Sequence, residues 1–243
     1  MSKLNKEINS FQQVWSGGYK TGYSKKRNQK GVEEYLKNNT SGEILLEIGC
    51  GGGQWSKFIC ENIKFEKLFC TDVLSAEHND FWNYVGSKNK KNIIYKHVKD
   101  FDLDFIDDDS LDYVFSYDVF CHISYSGLNA YLESLYKKCK KGANILIMYA
   151  DAEKYLKNEP ENKNHVIKYL PTRKLSYRFS NKLLVVDAAK DLDGEPSDPK
   201  DEPRWYWVGI NNFIELCEEK GFTVIEKDID VDKTNPITLF QKK

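Results

Sequence analysis

Long apolar runs are missing from this chain of 243 residues. The longest, such as 145–150, fall far short of the roughly 20 residues that cross a bilayer. The opening fifteen residues also lack the apolar stretch of a secretion signal, so a cytoplasmic protein with no membrane partner is expected. The six cysteines (Cys50, Cys60, Cys70, Cys121, Cys139 and Cys217) include no Cys-x-x-Cys pair, and no histidine stands at zinc-finger spacing. That excludes a disulfide framework and a structural zinc site; the cysteines read as reduced, mostly buried thiols, and no metal is predicted. An excess of charge is missing too. Lys and Arg number 36 against 37 Asp and Glu, so no global field draws in a phosphate polymer, and nucleic acid is not an expected partner.

What is present is the composition of a folded enzyme, 40% hydrophobic and 30% charged, in a length that suits one domain carrying an insertion. No internal repeat is visible, and short apolar runs alternate with helical patterns. Strands are predicted at 43–49, 68–73, 93–98, 111–115 and 144–149, with a closing pair at 222–225 and 237–240. Helices are predicted at 30–38, 54–63, 76–85, 128–140 (stopped by Gly142) and 211–220. Strands joined by crossover helices form a mostly parallel sheet covered on both faces. The fold class is therefore α/β, a doubly wound sheet of seven strands with an insertion on the substrate side. The expected division is a helical lead-in or lid at 1–42, a core at 43–149, an insertion at 150–208, and a helix with the closing strand pair at 209–243. Ligands in such sheets bind at the carboxyl ends of the strands.

The most specific signal lies between the first strand and the first core helix: Glu47-Ile48-Gly49-Cys50-Gly51-Gly52-Gly53. Glycines there let the backbone turn tightly and approach a ligand with no Cβ in the way. A dinucleotide site of G-x-G-x-x-G type would need glycine where Gln54 stands, which weighs against a nicotinamide enzyme. The pattern acid-x-Gly-x-Gly-x-Gly resembles motif I of class I methyltransferases that use S-adenosylmethionine. The resemblance implies a Rossmann-like core with that cofactor. It assigns Glu47 to the loop and to the methionyl amino group, and Gly49 and Gly51, with Cys50, to close passage of the cofactor. Gln54 and Trp55, on the following turn, are expected near its methionyl end.

Asp72 ends the second predicted strand 23 residues after Gly49, with Val73 beside it. A carboxylate there can accept both hydroxyls of a ribose. After the third strand, Asp100 and Phe101 match the family's adenine contacts. They open a run of seven aspartates over 100–112. That run fails as an EF-hand, because Phe105 and Leu111 occupy the glycine and glutamate places. It fits the metal-binding D-x-D of glycosyltransferases by letter only, and reads mostly as a solvated loop. After the fourth strand, Tyr117-Asp118-Val119-Phe120-Cys121-His122 resembles motif IV and the segment after it. Tyr117 and Asp118 are assigned to the cofactor, and His122 is the candidate catalytic base or acceptor-orienting group. The Asn/Asp-Pro-Pro-aromatic of enzymes acting on nucleobase or glutamine nitrogen is absent, which turns the expected acceptor toward oxygen, with a sugar amine as the alternative.

Trp15 and Tyr19, with the glycines between them, have the content of a lid over methionine. In the insertion Arg173, Arg178, Arg204 and Tyr206 combine planar cationic forks with aromatic faces, so a small anionic acceptor is expected, a phosphorylated sugar or nucleotide-linked precursor. Lys- and Asn-rich usage resembles bacterial methyltransferases of capsule and lipopolysaccharide pathways. A binding module without turnover shares the cofactor residues, and the histidine separates the two readings.

Overall fold

The computed structural model describes residues 7–9, 11–12, 29–158 and 206–243. Its centre is one sheet of seven strands. In chain order these are β1 (Ile44–Ile48), β2 (Lys67–Asp72), β3 (Ile93–His97), β4 (Leu111–Ser116), β5 (Cys139–Met148), β6 (Phe222–Glu226) and β7 (Ile237–Lys242). They lie in the order β3-β2-β1-β4-β5-β7-β6. β1 to β5 run parallel and only β7 is antiparallel to its neighbours. β1 is buried on both faces from Leu45 onward, which is why all its residues but Glu47 are apolar. The strand order reverses between β1 and β4, and sheets of this kind bind ligands at that point, outside the carboxyl ends of the strands.

Helices cover both faces. On one, α1 (Lys30–Asn39), α2 (Gln54–Asn62), α3 (Phe81–Val85) and α5 (Ala152–Asn158) contribute Val32, Leu36, Ile59, Phe81 and Leu156 to a core layer. On the other, α4 (Tyr125–Lys138) and α6 (Ile210–Glu219) supply Leu128, Leu132, Leu135, Phe213 and Leu216. Among the described residues no helix is long and apolar enough to cross a membrane.

Two expected boundaries shift. The predicted helix over 76–85 survives only as α3, because Asp80 sits at φ 51° and breaks the turn series, while Asn79 is buried on the Tyr95 hydroxyl. The helix expected to run to Lys140 stops at Lys138, and β5 begins at once at Cys139. Cys139 pairs with Leu111 and Asn144 with Tyr113, so the intervening residues form an irregularity in the ladder. Gly142, at φ 78°, turns within that strand and does not cap the helix.

The segment between β5 and α6 leaves and returns at one point. Gly209 donates its amide to Ala150 at 3.2 Å. The buried Asp151 carboxylate accepts from the amides of Lys154 (2.6 Å) and Ile210 (2.9 Å), serving the first turns of both α5 and α6. Residues 159–205, and with them Arg173, Arg178 and Arg204, lie outside the described residues, as do Trp15 and Tyr19.

Candidate active site

The glycine loop closes the gap between three strand ends. Gly49 and Cys50 both donate to the Thr71 carbonyl, at 2.8 and 2.9 Å, which fastens the loop to β2. Ser116 at the end of β4 donates its hydroxyl to Ile48 at 2.9 Å, fastening β1 to β4. Gly49 adopts φ 74°, and a Cβ there would stand 2.2 Å from Val119, so no other residue fits beneath the β4 turn. Gly51 differs. At φ 50° its position has nothing within 4 Å of a would-be Cβ, so its open side is a cradle that a ligand can enter.

Asp72 faces that cradle. Its carboxylate accepts from the Gly51 amide and the Leu74 amide, each at 2.9 Å, so loop and strand end are held in register. Burial pushes its carboxyl up, and the two amides with the Asn79 side chain pull it back. Acceptor capacity remains on the carboxylate for a hydroxyl donor. Neighbouring Val73 is half-buried, and its carbonyl lies 3.0 Å from the His97 ring.

Glu47 is buried beneath the loop, where Ser56 on α2 and Cys70 on β2 donate to the same carboxyl oxygen. Burial pushes its pKa up to about 8; the Ser56 bond opposes this and nearby Asp72 adds to it. The folded chain therefore keeps a proton near neutrality that the unfolded chain releases in the ordinary carboxylate range. Stability contributed by this group falls as pH rises from that range through about 8. A Glu47→Gln variant should accordingly gain on the native chain across the window, by on the order of a few kcal/mol, in urea melts at its two ends. Cys50 is a packed thiol that burial holds well above its usual range.

Of the other residues that the sequence assigns to the cofactor, Trp55, Tyr117 and Phe101 are packed among aromatics, while Asp100 and Gln54 make polar contacts. Trp55 is 8% exposed and lies against Phe115 and Tyr117, at ring distances of 5.3 and 5.2 Å. The Tyr117 hydroxyl donates to Asp232 at 2.8 Å, tying β4 to the β6–β7 connection. Phe101 is buried edge-on to Tyr131 at 4.9 Å, under α4. Asp100 is exposed and accepts from the Asp102 amide at 3.2 Å. Gln54 donates to Gln29, just before α1. Four of the seven aspartates do not belong to a free loop: Asp104 and Asp108 meet Lys138, Asp109 meets Lys242 and Asp112 meets Lys140.

Asp118 ends the β4 turn at φ 62°, a strained backbone for a residue with a side chain. A short 3-10 turn over Phe120–His122 comes next, with Cys121 fully buried and His122 at 9% exposure. His122 therefore stands six residues past the carboxyl end of β4, on the turn that follows the strand. Tyr206, where the chain returns from the insertion, is buried and donates its amide to the Cys121 carbonyl at 2.8 Å. That brings one of the four predicted acceptor residues to His122.

One site residue escapes a reading of the sequence. Glu7 is buried, and its carboxylate accepts from the amide and hydroxyl of Ser124 at 2.6 and 2.7 Å, clamping the segment just past His122. Ser124 also caps α4 by accepting from Gly127. The serine before a helical pattern is visible in the sequence; a glutamate in a polar leader gives no sign of its partner.

These strand ends offer an open glycine cradle with a carboxylate held against it, which fits a nucleoside-bearing cofactor. A family profile described as a methyltransferase domain matches residues 21–227. No curated protein matches the chain. Among solved structures the chain resembles an S-adenosylmethionine-dependent methyltransferase from Mesorhizobium loti at 11% identity and TM-score 0.59, covering 88% of this chain and 97% of that one. A second, a SAM-dependent methyltransferase from Aquifex aeolicus, gives 15% identity and TM-score 0.55 over 98% of both chains. The PH0226 protein of Pyrococcus horikoshii OT3 gives 15% and 0.59, over 96% of this chain and 98% of that one. The chain belongs to the methyltransferase-domain family and, on this class I fold, takes S-adenosylmethionine as its cofactor.

Proposed function

We propose that this methyltransferase acts on an oxygen of a small, polar, anionic acceptor, a phosphorylated or sugar-derived molecule of the kind used to build bacterial surface polysaccharide. The observation that carries the reading is the position of His122 on the turn after β4, next to Cys121, whose carbonyl holds the returning chain at Tyr206. Bound in the cradle, S-adenosylmethionine supplies a methyl group already activated on a sulfonium. The chain has three tasks left: to grip the cofactor, to align the acceptor and to handle the acceptor's proton.

Asp72 is suited to the ribose hydroxyls, Gly51 to close passage of the cofactor, and Asp118 with Asp100 to its polar edges. Glu47 holds the loop from beneath. His122 orients the acceptor hydroxyl or takes its proton as the new bond forms. Arg173, Arg178 and Arg204 of the insertion are the proposed partners of the acceptor's negative charge, and Trp15 with Tyr19 the cover over methionine. The Val-Phe that directly follows Asp118, in place of a Pro-Pro pair, favours oxygen over nucleobase nitrogen.

The deciding experiment is a screen of phosphorylated and nucleotide-linked sugars with methyl-labelled cofactor, followed by mapping of the methylated atom. Label on a hydroxyl supports the reading; label confined to an amino group or to macromolecules overturns it. With an acceptor in hand, His122→Ala should lower kcat by about 100-fold or more while the cofactor Kd stays within a few-fold. Unchanged kcat would remove the histidine from the chemistry.

A further inference from the structure

Asp118, Cys121 and His122 converge. A carboxylate oxygen, the thiol sulfur and a ring nitrogen lie within 4.8 Å of one another, with the Cys121 sulfur 3.6 Å from Asp118 Oδ1. The local backbone produces this. Asp118 at φ 62° turns the chain out of β4, and the 3-10 turn beyond it brings the third and fourth residues after it back to the same side. The sequence predicts no metal because it lacks paired cysteines at finger spacing, but this grouping needs only one short turn.

We propose that these three side chains bind a divalent transition-metal ion of the zinc class beside the acceptor position. One sulfur, one imidazole nitrogen and one carboxylate oxygen suit a borderline-soft ion and exclude magnesium or calcium, which require oxygen ligands throughout. Charge balances as well. A thiolate and a carboxylate with a neutral imidazole cancel the two positive charges of the ion, so the filled site is neutral where Cys121 is fully buried. Metal–ligand bonds of about 2.0–2.3 Å set ligand atoms about 3.5 Å apart, so the trio must close by about 1 Å, within the reach of side-chain rotation. The support is built in. Tyr206 holds the Cys121 carbonyl, the His122 amide donates to Val119 at 2.9 Å, and Glu7 clamps Ser124. Three protein ligands leave a fourth position for water or the acceptor.

The catalytic consequence rests on the reading of an oxygen acceptor: a cation there stabilises charge developing on that oxygen, and His122 then acts as a ligand. Binding of the ion does not rest on it and is measured apart from turnover. The full chain, stripped with chelator, is titrated with Co²⁺ and then with Zn²⁺, alongside Cys121→Ser, Asp118→Asn and His122→Ala. The expected result is one ion per chain and a thiolate-to-cobalt charge-transfer band that Zn²⁺ abolishes. Cys121→Ser should lose the band. Each variant should weaken binding by more than the roughly 10–100-fold that loss of an outer partner costs. Far-UV circular dichroism and the unfolding midpoint of the ion-free chain, kept in every variant, report that the fold is intact. No charge-transfer band, or equal binding in Cys121→Ser, shows a hydrogen-bonded cluster only and overturns the proposal. A bound ion without transfer to any hydroxyl would sink the acceptor reading and leave the ion site standing.

Discussion

Asp72→Ala should weaken binding of S-adenosylmethionine and of its demethylated product by about 2–4 kcal/mol, or roughly 30- to 1000-fold. Hydrogen bonds to a charged acceptor each contribute about 1.5–3 kcal/mol, and the variant loses two proposed ribose contacts at once. The same carboxylate holds the Gly51 amide and the Leu74 amide, so its removal also loosens the cradle against which the cofactor rests. Asp72→Asn keeps one acceptor oxygen and should fall between the two. Calorimetric titration with S-adenosylhomocysteine measures all three proteins, and an alanine variant with native affinity would show that the ribose is held elsewhere.

The glycine loop separates stability from binding within three residues. Gly49→Ala forces a side chain into a left-handed backbone, at about 1–2 kcal/mol, and into contact with Val119 at 2.2 Å, adding about 1–3 kcal/mol of overpacking. A loss of about 2–5 kcal/mol in urea unfolding is expected, a large share of a typical domain's stability. Adding Val119→Ala should recover the overpacking but not the backbone strain. Gly51→Ala meets no neighbour. It should cost only about 1–2 kcal/mol of stability while removing most cofactor binding, because the new methyl group stands where the ligand passes. Similar unfolding midpoints for the two variants would contradict this division.

Much of the fold is legible in the sequence because its physics is local. Residues 44–48 are apolar except for Glu47 since β1 is covered on both faces, and the glycines after Ile48 mark the turn that such a strand needs before its helix. Leu128 to Leu135 shows the helical period because α4 buries one side only. The start of β5 is not legible: Lys140, Lys141 and Gly142 look like the end of a helix, and only pairing of Cys139 with Leu111 draws them into the sheet. In the candidate site, the meeting of Gly51 with Asp72 is legible because loop chemistry and a strand end set it. The aromatic neighbours of Trp55, Tyr117 and Phe101 are not legible, because the sequence does not place those rings beside them. The Glu7–Ser124 clamp and the convergence of Asp118, Cys121 and His122 depend on distant chain crossing or on a single strained dihedral. Neither leaves a periodic trace.

Every role assigned above depends on the ligand bound outside the carboxyl ends of β1 and β4, and calorimetry of the wild-type chain with three compounds addresses it most directly. S-adenosylmethionine and S-adenosylhomocysteine should each bind one per chain, and NAD should release no heat above dilution. Saturable binding of NAD, with neither sulfur compound taken up, would contradict the cofactor assignment.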